Sequence, residues 1–148
     1  MPLPPLDTLG DLPIGVHIAT LDEVLAAFGQ STDQRLRVGL RLRRVYELAR
    51  STGCVVSFIV FGSFVTAKLD PNDIDVFLVM SDDFDVGRLS LPQKLVFEHA
   101  AAQAKFGASV FWVRRAAAHP SVEELISGWG ITRDGTVRGI VTIVEGDA

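Results

Sequence analysis

Val55-Val56-Ser57-Phe58-Ile59-Val60-Phe61-Gly62-Ser63, nine connecting residues from Phe64 to Asn72, and Asp73-Ile74-Asp75-Val76-Phe77-Leu78-Val79-Met80 form the stretch on which the fold turns. Both apolar runs are short, rich in β-branched and aromatic residues, and bounded by breakers. Gly53 precedes the first, Gly62 follows it, and Pro71-Asn72 precedes the second. That is the pattern of buried strands. Side chains alternate along a strand, so Asp73 and Asp75 point one way while Ile74 and Val76 enter the other layer. Two carboxylates at the end of a buried strand repel each other and lose hydration, so folding alone gives little reason to place them there. A divalent cation removes the objection. Mg²⁺ prefers oxygen ligands and is usually held by one or two carboxylates plus substrate phosphates, so the pair predicts Mg²⁺ (or Mn²⁺) and a phosphate together. The competing reading makes Asp73 a turn cap, Asp75 a solvated strand end and Gly62 a plain turn glycine.

Gly62-Ser63 supplies a second element, because a residue without Cβ lets backbone N–H groups approach a phosphate and Ser63 adds a hydroxyl. With its apolar-Gly-Ser corner, nine-residue spacer and acid-apolar-acid-apolar run, the stretch resembles the nucleotidyltransferase superfamily that includes DNA polymerase beta, and within it the minimal nucleotidyltransferases of bacteria. Phe61 to Val76 is closer still to a little-characterised bacterial subgroup, which also looks like this chain near Leu12–Thr20 and Thr132–Ile140. The resemblance implies that Gly62 and Ser63 open a short helix against a nucleoside triphosphate and that Asp73 and Asp75 carry the metal. Lys68, inside the connector, is the candidate phosphate-binding cation. The resemblance also calls for a third carboxylate on the strand that follows the acid pair, and here Ser109 stands in that region. A serine hydroxyl is a neutral, poor Mg²⁺ ligand and a weak base. Asp70, Asp82 and Asp85 are the acids available to substitute, and Arg114 and Arg115 are further cations that could clamp phosphate.

The 148 residues suit one domain, of which 1–16 read as an irregular Pro- and Gly-rich arm. Apolar residues make up 48%, and the mean hydropathy of +0.31 is oily. Even so, no apolar run approaches the roughly 18 residues of a membrane span, and the start, Met1-Pro-Leu-Pro-Pro-Leu, lacks the form of a signal peptide. A cytoplasmic location is the expectation. The net charge of −4 argues against nucleic-acid binding by the whole surface. Cys54, the single cysteine, reads as a small buried hydrophobe, and His17, His99 and His119 lack metal-ligand spacing.

Thr20-Leu-Asp-Glu23 is a capping box for a helix over 21–28, and Ser31-Thr-Asp-Gln34 starts a longer one reaching Ser51. The longer helix holds six of the eleven arginines. Val38, Leu42, Val45 and Ala49 make its apolar stripe and Arg37, Arg41 and Arg44 a basic one, with Leu36 and Leu40 exposed on the far side. Ser90-Leu-Pro-Gln93 opens a helix over 91–106, Ala108–Val113 is a third strand, and Ser121-Val-Glu-Glu124 caps a short helix. Asp134-Gly135 marks a hairpin joining Ile131-Thr132 to a last strand over 137–144. Trp129 reads either as core or as an indole that stacks on a base.

The expected fold is α/β (α+β), a small mixed sheet of three to five strands with helices packed on it, of nucleotidyltransferase type. The expected function is binding of an NTP and Mg²⁺ through Gly62, Ser63, Lys68, Asp73 and Asp75, with transfer of a nucleoside monophosphate to a hydroxyl of a protein, an RNA or a small molecule. The resemblance further implies a toxin–antitoxin or phage-defence setting with a protein partner. The alternatives are a catalytically degenerate binding module, consistent with Ser109, and an RNA-binding protein that uses the arginine helix. Unpaired sheet edges leave homodimer formation open.

Overall fold

Alternating burial along the two central runs sets the layers. The computed structural model describes residues 3–146, so the reading of Met1-Pro2 as the start of the arm lies outside the described residues. In chain order the elements are β1 (Val16–Thr20), α1 (Leu21–Phe28), α2 (Asp33–Arg50), β2 (Val55–Phe61), β3 (Ile74–Met80), α3 (Leu91–Phe97), α4 (His99–Phe106), β4 (Ala108–Arg114), α5 (Val122–Gly128) and β5 (Ile140–Val144). The strands form one mixed sheet in the order β1-β5-β2-β3-β4, with β1·β5 and β3·β4 parallel and β2 antiparallel to both β5 and β3. The fold is therefore α+β, a five-stranded mixed sheet carrying helices.

Ile74, Val76, Leu78 and Met80 from β3, with Phe58 and Val60 from β2, are fully buried in a large cluster with residues of α1 to α4. Ile59, Phe77 and Val79 point the other way, into a smaller cluster closed by Ile126 of α5 and Ile140 of β5. One face of the sheet thus lies under four helices and the other under one short helix. The difference leaves room for a cleft. Among the described residues no helix is long and apolar enough to cross a membrane.

Most local signals act as expected. Thr20 and Glu23 exchange both capping-box hydrogen bonds, as do Ser90 and Gln93. The α2 stripe of Val38, Leu42, Val45 and Ala49 is fully buried, while Leu36 and Leu40 remain 42% and 66% exposed. Cys54 is half-buried against the helix-side core as a free thiol. Thr32 rather than Ser31 caps α2, accepting from the Arg35 N–H at 3.0 Å, and the Gln34 side-chain amide donates to the Pro71 carbonyl.

Three elements differ from the sequence reading. The helix over 91–106 breaks at Glu98 (φ −109°, ψ 116°), and the Phe97 carbonyl accepts from the Trp112 indole N–H at 3.0 Å. The break re-aims α4 along β4. Val16–Thr20 is an edge strand that runs straight into α1, a signal too short to separate from the arm. The last strand begins at Ile140 rather than 137, and Val137 instead bridges Ile131 in the hairpin. Gly139 lies under the N-terminal segment, where a Cβ would meet the Pro13 carbonyl oxygen at 2.3 Å, and that crossing holds 137–139 out of the sheet. The arm itself lies along the body, pairing Asp11 with Thr66 and burying Leu12 to 1% exposure. It leaves Leu36 and Leu40 uncovered.

Arg35, which the sequence reading did not assign to the basic stripe, takes a structural role. It is 4% exposed, and its guanidinium donates to the carbonyl oxygens of Phe28 (3.1 Å), Phe64 (2.8 Å), Thr66 (2.7 Å) and Lys68. Desolvation holds its pKa below the usual guanidinium range, and the nearby Asp70 carboxylate opposes that shift. A planar fork with several fixed donors can satisfy carbonyls that a single ammonium cannot span. Arg35→Met leaves those acceptors without a donor and is expected to lower the unfolding free energy by about 3 kcal/mol or more, with Arg35→Lys recovering less than half. Urea denaturation of the three proteins measures it.

Candidate functional site

Where β2 ends, the chain passes directly over the first turn of β3. Gly62 takes φ +78°, and a Cβ there would sit 2.1 Å from Asp75 Oδ2. Glycine is required on both counts, by the backbone conformation and by the carboxylate pressed against it. One 3₁₀ turn, Ser63–Val65, follows. This is the short helix expected after the Gly-Ser corner, reduced to a single turn.

In the sheet register Asp75 lies between Phe61 on β2 and Ser109 on β4. All three side chains point to the lightly covered face. Burial is the main reason that the Asp75 pKa is pushed up to about 6, and the negative charge of Asp73 adds to it. The Arg133 guanidinium and a hydrogen bond from Ser109 pull it back. Gln103 on α4 donates to Ser109 Oγ at 2.7 Å. A neutral pair, Gln103–Ser109, hydrogen-bonded to Asp75, therefore stands where the sequence resemblance calls for a third carboxylate.

Gly62, Ser63, Asp75 and Ser109 line one end of a cleft of about 490 Å³. Phe61, Phe111 and Trp129 line another part, and Arg133 and Arg138 from the hairpin also border it. Arg138 Nε is buried without a hydrogen-bond partner, its nearest countercharge being Asp11 Oδ1 at 3.6 Å. Asp73 sits just before β3, half-buried, close enough for its charge to act on Asp75. Lys68 is exposed and lines an adjoining groove that shares Ser63 and Arg138 with the cleft. A larger cavity, about 640 Å³, lies between the N-terminal segment and α1 and lacks the acid pair.

The other candidates are used elsewhere. Asp82 accepts from the Ala116 N–H, and Asp85 caps a turn at the Gly87 N–H, both beyond the opposite end of β3. Asp70 is exposed in the connector, where it acts on Arg35. Arg114 pairs in register with Met80, five residues along from Asp75, and its guanidinium lies over the Trp112 ring. Of the α2 arginines, Arg43 pairs with Asp22 and Arg50 donates to the Ile143 carbonyl. These two lie outside the basic stripe of Arg37, Arg41 and Arg44.

Among the described residues no group of three or more His, Cys, Asp or Glu could hold a metal ion. Asp73 and Asp75 offer two carboxylates, one of them held in the protonated direction by desolvation, and a cation would relieve that. The donor set fits a Mg²⁺ or Mn²⁺ that brings water and phosphate ligands with it, rather than a cage of protein carboxylates. Sequence reasoning missed Gln103, Phe111, Arg133 and Arg138. Arg133 lies inside the Thr132-Arg-Asp-Gly turn, which was a visible signal, whereas Gln103 depends on how α4 settles on β4.

The profile of a family of unknown function, DUF6932, matches residues 4–144. No curated protein and no solved structure matches the chain.

The folded-state pKa of Asp75 lies above its unfolded value of about 3.8, so its contribution favours folding below that pH and is lost as pH rises through about 6. Asp75→Asn is therefore expected to stabilise the metal-free protein at pH 8 by about 1–2 kcal/mol, reduced from the full linkage value because the group is partly solvated, and to change little at pH 4. Chemical denaturation at the two pH values checks the sign.

Proposed function

The chain belongs to the DUF6932 family, and we propose that it is a nucleotidyltransferase-like protein that binds a nucleoside triphosphate together with Mg²⁺ or Mn²⁺. The observation that carries this is the contact of Gly62 with Asp75. The chain brings a Gly-Ser corner against Asp75, whose partial burial and the neighbouring Asp73 charge raise the cost of ionising it in the fold. Binding an anion through a shared cation recovers that cost. Asp73 and Asp75 would hold the metal, Ser63 and the turn it opens would meet the phosphates, and Arg133, Arg138 and Lys68 would balance their charge along the cleft and groove. When bound, the cation would supply Lewis-acid stabilisation of charge at the α-phosphate. In the transfer that this would support, the hydroxyl oxygen of a protein, RNA or small-molecule acceptor would bond to the α-phosphorus as the α–β phosphoanhydride breaks, releasing pyrophosphate and leaving a nucleoside monophosphate on the acceptor. A cytoplasmic setting beside a protein partner, as in toxin–antitoxin or defence pairs, accords with the sequence resemblance.

A second reading keeps binding and drops transfer, and the Gln103–Ser109 pair favours it. Apart from Asp73 and Asp75, which would hold the metal, the described residues lining the cleft include no carboxylate to take a proton from an attacking hydroxyl. Transfer would then be slow while triphosphate binding persists.

Calorimetry separates these from a protein with no such site. Each NTP is expected to bind in the presence of Mg²⁺ or Mn²⁺ and to lose at least about tenfold in affinity in Asp73→Ala/Asp75→Ala. A folded native protein that binds no NTP would overturn the proposal. Ser109→Asp then decides between the two forms, because labelled-nucleotide transfer appearing only in that variant identifies the native chain as the binding module.

A further inference from the structure

We propose that Phe61, Phe111 and Trp129 form a stacking wall for the nucleobase of the bound nucleotide, an inference that rests on the nucleotide reading above. The ladder register fixes the arrangement. Phe61, Asp75 and Ser109 form one row across β2, β3 and β4, and Ile59, Phe77 and Phe111 form the next row on the same face. Adjacent same-face rows lie about 6.6 Å apart along a strand, so aromatic surface begins one pentose-sized step from the acids.

Trp129 spans these rows, with ring centroids 4.8 Å from Phe77, 4.9 Å from Phe61 and 5.1 Å from Phe111. Packing of α5 accounts for the Phe77 contact, which is stacked and buried. It does not account for Phe111, which stays 38% exposed on a strand and borders the cleft. Rings left partly wet beside a polar cleft are costly unless a flat partner covers them. Arg133 and Arg138 border the same space, so a ligand with a planar apolar end and an anionic end matches both halves. A nucleotide has that form. The cleft lining holds no Asn, Gln or Glu to read a base edge, so the wall accepts the four bases with little discrimination, as stacking sites do.

The test compares ATP and GTP with inorganic tripolyphosphate, each with Mg²⁺, on the native chain and on Phe111→Leu, which keeps apolar bulk and loses the ring. Trp129 emission is followed, with Trp112 as a constant background from the opposite face. Both nucleotides are expected to bind about tenfold more tightly than tripolyphosphate and to quench Trp129, and Phe111→Leu should weaken them several-fold without touching tripolyphosphate. Nucleotide that binds no better than tripolyphosphate, with emission unchanged, overturns the wall while the metal–phosphate reading stands. Failure of all three ligands to bind overturns both.

Discussion

The buried guanidinium of Arg35 is the constraint on which the rest of this structure depends. Four carbonyls, at Phe28, Phe64, Thr66 and Lys68, converge on one side chain of α2. Three of them belong to the segment between Ser63 and Asp73. That segment has no regular structure beyond a single 3₁₀ turn and would otherwise carry unsatisfied backbone acceptors into the interior. Tied to α2 by Arg35, and at its far end by Gln34 on the Pro71 carbonyl, it has one path. The path sets where Gly62 leaves β2 and where Asp73 approaches β3. Helix, connector and acid pair are therefore one mechanical unit, although no carboxylate touches Arg35.

That unit sits on a sheet whose two faces differ in kind. Four helices seal one face with fully buried aliphatic and aromatic side chains, whereas α5, Trp129 and the 131–137 hairpin cover only part of the other. Asp75 and Ser109 lie on the second face where the cleft opens. Arg138 joins this cover to the N-terminal segment through Asp11, so the arm that crosses Gly139 also helps to hold the hairpin over the cleft.

What was legible in the sequence follows from how local each signal is. Strand alternation in 55–61 and 74–80 and the capping boxes at Thr20 and Ser90 need only neighbouring residues, and they could be read. The break at Glu98 could not, because it depends on a Trp112 indole fifteen residues past Phe97. The role of Arg35 could not be read either, since its four acceptors come together only after the chain has folded. Asp82 and Asp85 looked available because sequence distance from Asp75 is short, but a strand extends steadily, and they end beyond its far end. In the candidate site the β2–β3 half was legible and the hairpin half was not. Its arginines are brought in by a crossing of the arm that no local pattern announces.

Ser109 gives the site its electrostatic character. Asp75 already titrates near pH 6 with one neighbouring carboxylate and a hydrogen bond from Ser109 in its favour. A carboxylate at 109 would remove that hydrogen bond and add a second repulsion across the ladder, and both effects raise the pKa. Without a cation, such a site would hold a proton at neutral pH and present fewer charged oxygens to an incoming metal. With Ser109 oriented by Gln103, its hydrogen bond limits the rise that burial and the Asp73 charge impose on the Asp75 pKa. Compared with the acid that the sequence resemblance calls for, the hydroxyl offers neither a charged oxygen nor a strong base, and it favours the charged form of Asp75. In this fold the same substitution that weakens the case for rapid transfer strengthens the case for binding.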